Sequence, residues 1–400
     1  MISYFLFIFI SKRWCTNIAV STSKTDIFNS SEKKILDRKP LFFLENYTEA
    51  LNFLKNLGKP LAGYFTNRVP VEIIHTLELL PVRMLSLGSF NQGTSEKFIQ
   101  IFGCSWLRQL LDIGLAKGFE DIDCMVFSAG TCDSLQNVSD IWRKIFPEQF
   151  AYNLTFPVLI NTEASVKYFQ SEIEALIRDL SSQFTDNGMD LEIDPSIDLY
   201  NTKRAYLQEL AGIVSERKMS YRVFAKILLL ADIAPVEAVN TYLESQLIDL
   251  KASPQTDIPE SPRLLLVGGM FDNYRLWEIP EIDHIVADDM SFGTRNFNFQ
   301  VPKGSIQGYA KAYMERIPDP TAYDMDRRLN GLKNMIKNHR VDGAVLLGMK
   351  WCDPDAFEFV PIQNILKEQG IPNLKLETSP DLSNLQQMQT RLSAFIEMLS

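Results

Sequence analysis

The sequence contains few cysteines and no closely spaced pair of them. Five occur among 400 residues, and none belongs to a Cys-x-x-Cys segment. An odd number of widely separated cysteines is not typical of a secreted disulfide framework, and a reducing compartment suits it better. We therefore expect a cytoplasmic location.

Long apolar runs and an excess of positive charge are also missing. The apolar run Tyr4–Ile10 has seven residues, which is too short to span a bilayer, and its basic neighbours Lys12 and Arg13 follow it, unlike those of a signal peptide. We expect residues 1–30 to be a poorly ordered N-terminal extension in which Cys15 is incidental. The net charge of −10 and the lack of a basic stripe argue against nucleic acid as a partner. Neither a membrane nor a nucleic acid is therefore expected.

Nucleotide-binding motifs are absent as well. No Gly-x-x-x-x-Gly-Lys-Ser/Thr loop occurs, and Val267-Gly-Gly-Met-Phe271 lacks the glycine spacing of a dinucleotide fingerprint. If the activity depends on ATP, we expect another protein to hydrolyse it.

A strand, a loop and a helix are predicted around Cys132. The apolar run Cys124–Phe127 is typical of a buried strand, Gly130 ends it, and helical spacing begins at Ser134. Cys132 is therefore predicted in the loop at the carboxyl end of a strand, which is where open parallel sheets hold their ligands.

The same order of features returns near the C-terminus. Val341–Leu347 is a predicted strand, Gly348 ends it, and Cys352 follows just before a helical pattern. Farther along, Phe156–Glu163 aligns with Ile371–Glu377 as the next strand of each half. Two α/β halves with a cysteine at the same position predict one shared site in the cleft between them.

Strand and helix patterns alternate in both halves, which predicts an α/β fold with a parallel sheet in each. We expect two similar domains of the Rossmann or flavodoxin type, residues 31–162 with N-terminal helices and residues 263–400. Residues 163–262 are predicted to be a helical insertion that ends in the Pro-rich linker Ala252–Pro262.

Cys104, Cys132 and Cys352 are candidate metal ligands. Each is predicted in a loop or at the start of a helix, whereas Cys124 lies inside a strand. Three thiolates from separate loops would suit an iron–sulfur cluster with one iron left open. Spacing alone is weak support, because free cysteines also behave as small buried apolar residues. That alternative is favoured for Cys124 and stays open for the other three.

Several acidic residues are also candidates. Glu72 and His75 are three apart on one predicted helix face, although the simpler interpretation is that Glu72 favours the positive helix N-terminus and His75 packs against the sheet. Asp288-Asp289 and Asp353-x-Asp355 could suggest a divalent metal, but no further ligands lie nearby in sequence. Loop solvation and helix capping are therefore the favoured roles of these carboxylates.

Together these segments resemble the 2-hydroxyacyl-CoA dehydratase and benzoyl-CoA reductase family, and within it the D-component-like subunit of 2-hydroxyglutaryl-CoA dehydratase. The resemblance runs from about Leu61 to Leu399. Each matching segment is short, and it is their order and spacing that make the resemblance specific. The segments are Gly63-Tyr64, Val69–Glu72, Cys104-Ser105, Thr131–Asp133, Arg263–Gly269, Asp342-Gly343, Lys350–Cys352 and Gln389–Glu397.

The resemblance implies a 4Fe–4S cluster held by Cys104, Cys132 and Cys352, with the fourth iron facing a thioester substrate. It implies one subunit of a lyase that eliminates water from a 2-hydroxyacyl-CoA through a ketyl radical. A separate ATP-dependent iron–sulfur activator protein would inject the electron, and a related second subunit or a second copy would complete the enzyme. Glu72 is implied to lie near the cluster, with a polar or proton-handling role.

The implied chemistry explains why a cofactor is expected. A hydroxyl α to a thioester is a poor leaving group and the neighbouring β-proton is hardly acidic. One-electron reduction improves both, and it needs a low-potential cofactor rather than a side chain. A dry cleft would also protect the radical from water.

Two features depart from the family pattern. Arg316–Pro320 replaces a stretch that often carries an additional cysteine, and five cysteines are too few for a double-cubane cluster. A single cluster agrees with both. The alternatives are a benzoyl-CoA reductase-type subunit, a non-catalytic cluster-bearing partner subunit, and a two-lobed small-molecule binding protein without a metal.

Overall fold

The structure is a computed structural model that describes residues 41–87, 93–130, 132–185, 191–255 and 257–400. Residues 1–30 with Cys15, most of the loop at 88–93, and Thr131 lie outside the described residues. Within the described part of the chain, no helix is both long and apolar enough to cross a bilayer.

The first half of the chain forms a four-stranded parallel sheet with helices between its strands. Its elements are α1 (Leu41–Glu45), α2 (Tyr47–Lys55), β1 (Leu61–Tyr64), α3 (Val71–Thr76), β2 (Leu80–Arg83), α4 (Ser105–Leu115), β3 (Cys124–Ala129), α5 (Asp133–Ile145) and β4 (Phe150–Thr155). The strand order is β2-β1-β3-β4. β1 is buried along its whole length, as expected of a central parallel strand covered on both faces.

The second half repeats this arrangement. Its elements are β5 (Leu264–Gly268), β6 (Ile285–Met290), α10 (Thr294–Phe297), α11 (Ile306–Glu315), α12 (Met325–His339), β7 (Gly343–Met349), α13 (Asp353–Glu368), β8 (Asn373–Thr378) and α14 (Leu385–Leu399). The order β6-β5-β7-β8 matches that of the first sheet strand for strand, and β5, β6 and β7 are buried throughout.

Four helices lie between the two sheets in sequence. They are α6 (Glu163–Phe184), α7 (Asp194–Ser215), α8 (Tyr221–Ala231) and α9 (Val236–Ala252). α7 packs against α3 of the first half and against β6 of the second. One buried apolar cluster includes Leu110 of α4, Leu228 of α8 and Leu347 of β7. The helical segment therefore joins the halves through a shared core.

The predicted α/β fold with two similar parallel sheets is confirmed. Both sheets have the order found at the start of flavodoxin-like sheets, second-first-third-fourth strand. β3 and β7 hold equivalent places, and each leads into a helix that begins directly after a cysteine. The domain boundaries at 162 and 262 stay predictions.

The strand predicted at Phe156–Glu163 is wrong. β4 lies just before it at Phe150–Thr155, paired in register with β3, so the counterpart of β8 is β4. Residues 156–162 form a loop with one isolated parallel bridge, Leu159 to Tyr323. Pro157 has no N–H to donate to a ladder, which disfavours a strand across this segment.

Close packing of α4 against α5 generates a stability prediction. A Cβ added at Gly114 would lie 2.5 Å from Cη2 of the buried Trp142. We expect Gly114→Ala to lower the free energy of unfolding by about 1–3 kcal/mol, since overpacking forces neighbouring side chains out of place. Urea denaturation followed by far-UV circular dichroism measures the change.

Gly212→Ala is the matched control, because Gly212 also lies inside a long helix but a Cβ there would meet nothing within 4 Å. We expect it to be neutral or stabilising by up to about 1 kcal/mol, since alanine is the better helix former. Equal effects of the two substitutions would contradict the close contact between α4 and Trp142.

Candidate functional site

Each of three cysteines lies directly before the first residue of a helix. Cys104 is the N-cap of α4, Cys132 of α5 and Cys352 of α13. The backbone N–H groups of a helix's first turn have no partner within the helix and carry partial positive charge. A cysteine at this position therefore has its sulfur beside groups that favour a thiolate.

All three cysteines line one cavity between the halves. Its walls also include Leu107, Leu135, Met270 and Met349, and the space inside is about 70 Å³. The structure therefore brings Cys104 and Cys132 of the first half together with Cys352 of the second, although 220 residues separate the last two.

Hydrogen bonds hold the cysteine-bearing segments together. Ser105, next to Cys104, donates from its backbone N–H and its hydroxyl to the carbonyl of Lys350, at 3.2 and 3.0 Å. Asp272 of the second half accepts from Trp106 Nε1 at 2.7 Å and from the backbone N–H of Ser86 at 2.6 Å. Burial raises the pKa of Asp272. These contacts fix the first turn of α4 against the second half.

Burial raises the pKa of these thiols, whereas nearby backbone N–H groups lower it. Burial raises the pKa of Cys104 to about 12, although the N–H of Leu107 lowers it in part. It also raises the pKa of Cys132, whose sulfur accepts from Leu135 N–H at 3.4 Å. Burial is likewise the largest cause of the raised pKa of Cys352. Ionisation of the three thiols would therefore be favoured by binding a cation at the cavity.

Cys124 lies elsewhere. It is fully buried inside β3 and does not line the cavity. Its apolar surroundings raise the pKa of its thiol, as expected of a buried cysteine without a chemical role.

Two charged side chains that line the cavity were not assigned to it from the sequence. Arg68, in the loop after β1, is 1% exposed and its two terminal nitrogens have no hydrogen-bond partner. Asp355, in the first turn of α13, is 4% exposed and its Oδ2 also has no partner. Burial raises the pKa of Asp355 to about 6. The only sequence signal for Arg68 is its position directly before Val69–Glu72, one of the segments that resemble the family.

The expectation of solvated aspartates is wrong for three of the four. Asp288, Asp289 and Asp355 are at most 4% exposed, and only Asp353 is exposed. Asp288 accepts from Thr294 N–H at 2.8 Å, while Asp289 is paired with Arg328. A backbone N–H six residues farther along and an arginine 39 residues farther along thus compensate the burial of Asp288 and Asp289, as buried charge requires.

Glu72 is fully buried and has three partners. Arg204 of α7 donates to Oε1, and the hydroxyls of Tyr309 and Tyr313 of α11 donate to Oε2 at 2.6 and 2.7 Å. Burial alone would raise the pKa of Glu72, but the Arg204 charge and the two hydroxyls outweigh it and hold this pKa below its usual 4.5. Glu72 is not among the residues that line the cysteine cavity.

His75 has different partners from those of Glu72. Its Nδ1 lies 2.8 Å from Ser196 Oγ and its Nε2 lies 3.0 Å from Glu237 Oε1. Both ring nitrogens are therefore used in contacts with the helical segment. These partners belong to helices α7 and α9, and the expected packing of His75 against the sheet stays a prediction.

The described residues do not contain the single-ion arrangement of a structural metal site. Among the described residues, no three His, Cys, Asp or Glu side chains converge on a point that could hold one metal ion. An iron–sulfur cluster makes a different demand, because each thiolate binds a different iron of the cluster. Its ligands surround a space instead of meeting at a point.

The Glu72 contacts predict a pH-dependent loss of stability in Glu72→Gln. At pH 7 we expect the free energy of unfolding to fall by about 3–5 kcal/mol, because Arg204 keeps its charge but loses its buried partner. The difference from wild type is complete above pH 4.5 and shrinks as the pH falls through the lowered pKa of Glu72. Urea denaturation at several pH values measures it.

Glu237→Gln serves as the control, because the Glu237 side chain is 23% exposed in its pair with His75. We expect a change within about 1 kcal/mol, the usual range for partly exposed pairs. Equal unfolding free energies of wild type and Glu72→Gln at pH 7 would contradict the assigned network.

Comparison with known proteins places this site in a family. The family model described as 2-hydroxyglutaryl-CoA dehydratase, D-component, matches residues 66–399. This range contains Arg68, Glu72 and the three cysteines of the cavity.

Individual relatives match over most of their length. The beta subunit of lactoyl-CoA dehydratase from Anaerotignum propionicum is 23% identical over 86% of this chain and 92% of its own. A subunit of benzoyl-CoA reductase from Thauera aromatica is 22% identical over 86% and 91%. YjiM of Escherichia coli K12, whose name gives a dehydratase-subunit role as provisional, is 37% identical over 86% and 93%. On these matches, the chain belongs to the 2-hydroxyglutaryl-CoA dehydratase D-component family.

Proposed function

We propose that this chain is the iron–sulfur subunit of a 2-hydroxyacyl-CoA dehydratase, a lyase, and that Cys104, Cys132 and Cys352 hold a 4Fe–4S cluster. The observation that supports this best is the meeting of three cysteine-capped helices at one buried cavity. Family membership alone would leave the ligands unassigned.

The donor set fits such a cluster. Thiolates are the preferred ligands of iron–sulfur clusters, and each of these sulfurs lies at a helix N-terminus that favours the ionised form. No fourth cysteine of the described residues lines the cavity. Three thiolates from this chain would leave one iron open to another ligand.

The chain's own residues would prepare this space for radical chemistry. When bound, the cluster would supply low-potential one-electron reduction of a thioester at its open iron. Leu107, Leu135, Met270 and Met349 line the cavity with apolar surface and limit access of water. Asp355, with its unpartnered Oδ2, offers a carboxyl group within this space. The proton-handling role of Glu72 stays a prediction, since its carboxylate is already fully engaged.

The size of the cavity supports a role for a second protein chain. About 70 Å³ is well below the roughly 300–1,000 Å³ of ordinary small-molecule sites, so an acyl-CoA would need space outside it. Exposed apolar side chains adjoin two of the cysteines in sequence: Ile101 and Phe102 precede Cys104, and Trp351 precedes Cys352. We propose that this surface is covered by a related second subunit, which completes the acyl-CoA site.

A separate activator protein belongs to the same proposal. The chain contains no phosphate-binding loop of the Gly-x-x-x-x-Gly-Lys-Ser/Thr type, so electron injection at the expense of ATP would fall to a partner with its own cluster. All of these components suit a cytoplasmic enzyme of anaerobic metabolism.

A benzoyl-CoA reductase-type subunit is the second candidate. It is favoured by the match to the Thauera aromatica reductase, which is as extensive as the match to the lactoyl-CoA dehydratase. Both candidates share the cluster and differ in the acyl group and the reaction.

Serine variants of individual cysteines separate ligands from other cysteines. Serine is nearly the size of cysteine but offers a harder, more basic oxygen. We expect Cys104→Ser, Cys132→Ser and Cys352→Ser each to lose most of the iron and the brown colour. Iron and sulfide per chain, measured after anaerobic purification, are the readout.

Cys124→Ser and Cys15→Ser are the controls and should keep the full iron content. Cys124→Ser should lose about 1–3 kcal/mol of unfolding free energy, since it buries a hydroxyl in an apolar strand. A Cys352→Ser protein with full iron would contradict a site shared by the two halves.

The reaction itself is tested with the assembled enzyme. The chain would be combined anaerobically with its second subunit, an activator, ATP and a 2-hydroxyacyl-CoA, and the product analysed by mass spectrometry. We expect a 2-enoyl-CoA lighter than the substrate by one water. Reduction of benzoyl-CoA without dehydration would favour the reductase, and an iron-loaded complex without either activity would indicate a non-catalytic subunit.

A further inference from the structure

Arg68 is held rigidly at the edge of the cysteine cavity. It is 1% exposed, its guanidinium carbon lies 4.6 Å from the centre of the Phe156 ring, and its Nε lies 3.8 Å from Asp319 Oδ2. Stacking on the ring and the nearby carboxylate fix the plane of the guanidinium. Nε of Arg68 faces Asp319. The two terminal nitrogens on the other edge of the guanidinium are therefore available as donors to other groups.

Those two terminal nitrogens have no hydrogen-bond partner. Arg316, which approaches the same Asp319, donates from its terminal nitrogens to the carbonyl and side chain of Asn67 at 2.5 and 3.0 Å. Within the described residues, Arg68 is the one arginine whose terminal nitrogens are both buried and unpartnered. A buried charged donor without a partner is strongly unfavourable, so a group in the cavity is the natural acceptor.

The acceptor expected there is an anion. Asp319 already forms an ion pair with Arg295 Nη1 at 3.2 Å and accepts a hydrogen bond from Ser291 Oγ at 2.7 Å. The sulfur of Cys132 lies within electrostatic range of Arg68, so that a thiolate there would favour the guanidinium charge and the guanidinium would favour the thiolate. Arginine presents a planar fork of donors that matches such anionic acceptors.

We propose that Arg68 donates from both terminal nitrogens to the cluster held by Cys104, Cys132 and Cys352, and that it stabilises the reduced cluster. The inference rests on the proposed function. Each electron added makes the cluster more negative, and a fixed buried cation opposes that charge strongly because little solvent screens it. Hydrogen bonds to cluster sulfurs and local net charge are established determinants of reduction potential. Arg68 thus sets the potential at which the protein accepts an electron.

The test is the midpoint potential of the cluster in Arg68→Met, measured anaerobically by redox titration with paramagnetic resonance detection. Methionine fills similar space without charge or donors. We expect reduction to become at least tenfold less favourable, a shift of about 59 mV to more negative potential for a one-electron couple. Asp319 keeps Arg295 and Arg316 as partners in this variant, so folding should survive.

Two further variants separate this role from a general effect of charge. Arg68→Lys keeps the cation but loses the fork, and its potential should fall between those of wild type and Arg68→Met. Arg316→Met removes a buried cation that approaches the same carboxylate but does not line the cavity. The equilibrium constant for reduction of its cluster should stay within threefold of the wild-type value.

The outcomes are distinguishable. Wild-type protein that binds no iron would overturn both the proposed function and this inference. Wild type with a cluster and Arg68→Met with full iron and an unchanged potential would overturn the inference alone. If Arg68→Met loses iron, the midpoint potential of Arg68→Lys is the deciding measurement. A potential equal to that of wild type would exclude a role for the two terminal nitrogens of arginine.

Discussion

The cavity depends on three helices that begin at one place. Cys104, Cys132 and Cys352 precede helices from different parts of the chain, and the positive ends of those helices face a common space. Helix ends with unpaired N–H groups are stable when an anion or a thiolate lies beside them. The parallel sheets make this possible, because β3 and β7 have equivalent positions and deliver their carboxyl ends to the same cleft. The chemistry proposed for the chain follows from that convergence.

Buried hydrogen bonds, several of them to charged side chains, hold the two halves in this arrangement. Arg316 of the second half donates to Asn67 of the first, while Asn67 donates to the carbonyl of Ser291 at 3.1 Å. Glu72 of the first half is bound by Tyr309 and Tyr313 of the second. Such networks are strongly destabilised when one member is lost, so they fix the relative positions of the halves more sharply than apolar packing would. A site whose residues come from both halves needs that precision.

The sequence predicted those parts of the structure that are encoded locally. The strands around Cys124 and Val341, the breaks after them and the cysteines before each helix could be identified because apolar pattern, glycine and helix start lie within about fifteen residues of one another. β4 was misplaced because an apolar segment interrupted by Pro157 resembled a strand more than the mixed sequence at Phe150–Thr155 does. Arg68 and Asp289 could not be assigned, since their partners Asp319 and Arg328 are far away in sequence and only the folded chain brings them together.

The internal repeat is incomplete at the position that Cys104 occupies in the first half, and this limits the number of thiols around the cavity. In the first half, Cys104 precedes the helix that leads into β3; in the second, the helix that leads into β7 is preceded by Asp319, Pro320 and Thr321, which line the same cavity. Two identical halves would present four thiols and surround the cavity with them on all sides. Here the repeat supplies a matched pair of cysteines, the first half adds a third, and the second half has no cysteine at the fourth position. The asymmetry between the two halves therefore leaves one side of the cavity without a thiol, and on that side the proposed cluster would be open to a ligand from outside this chain.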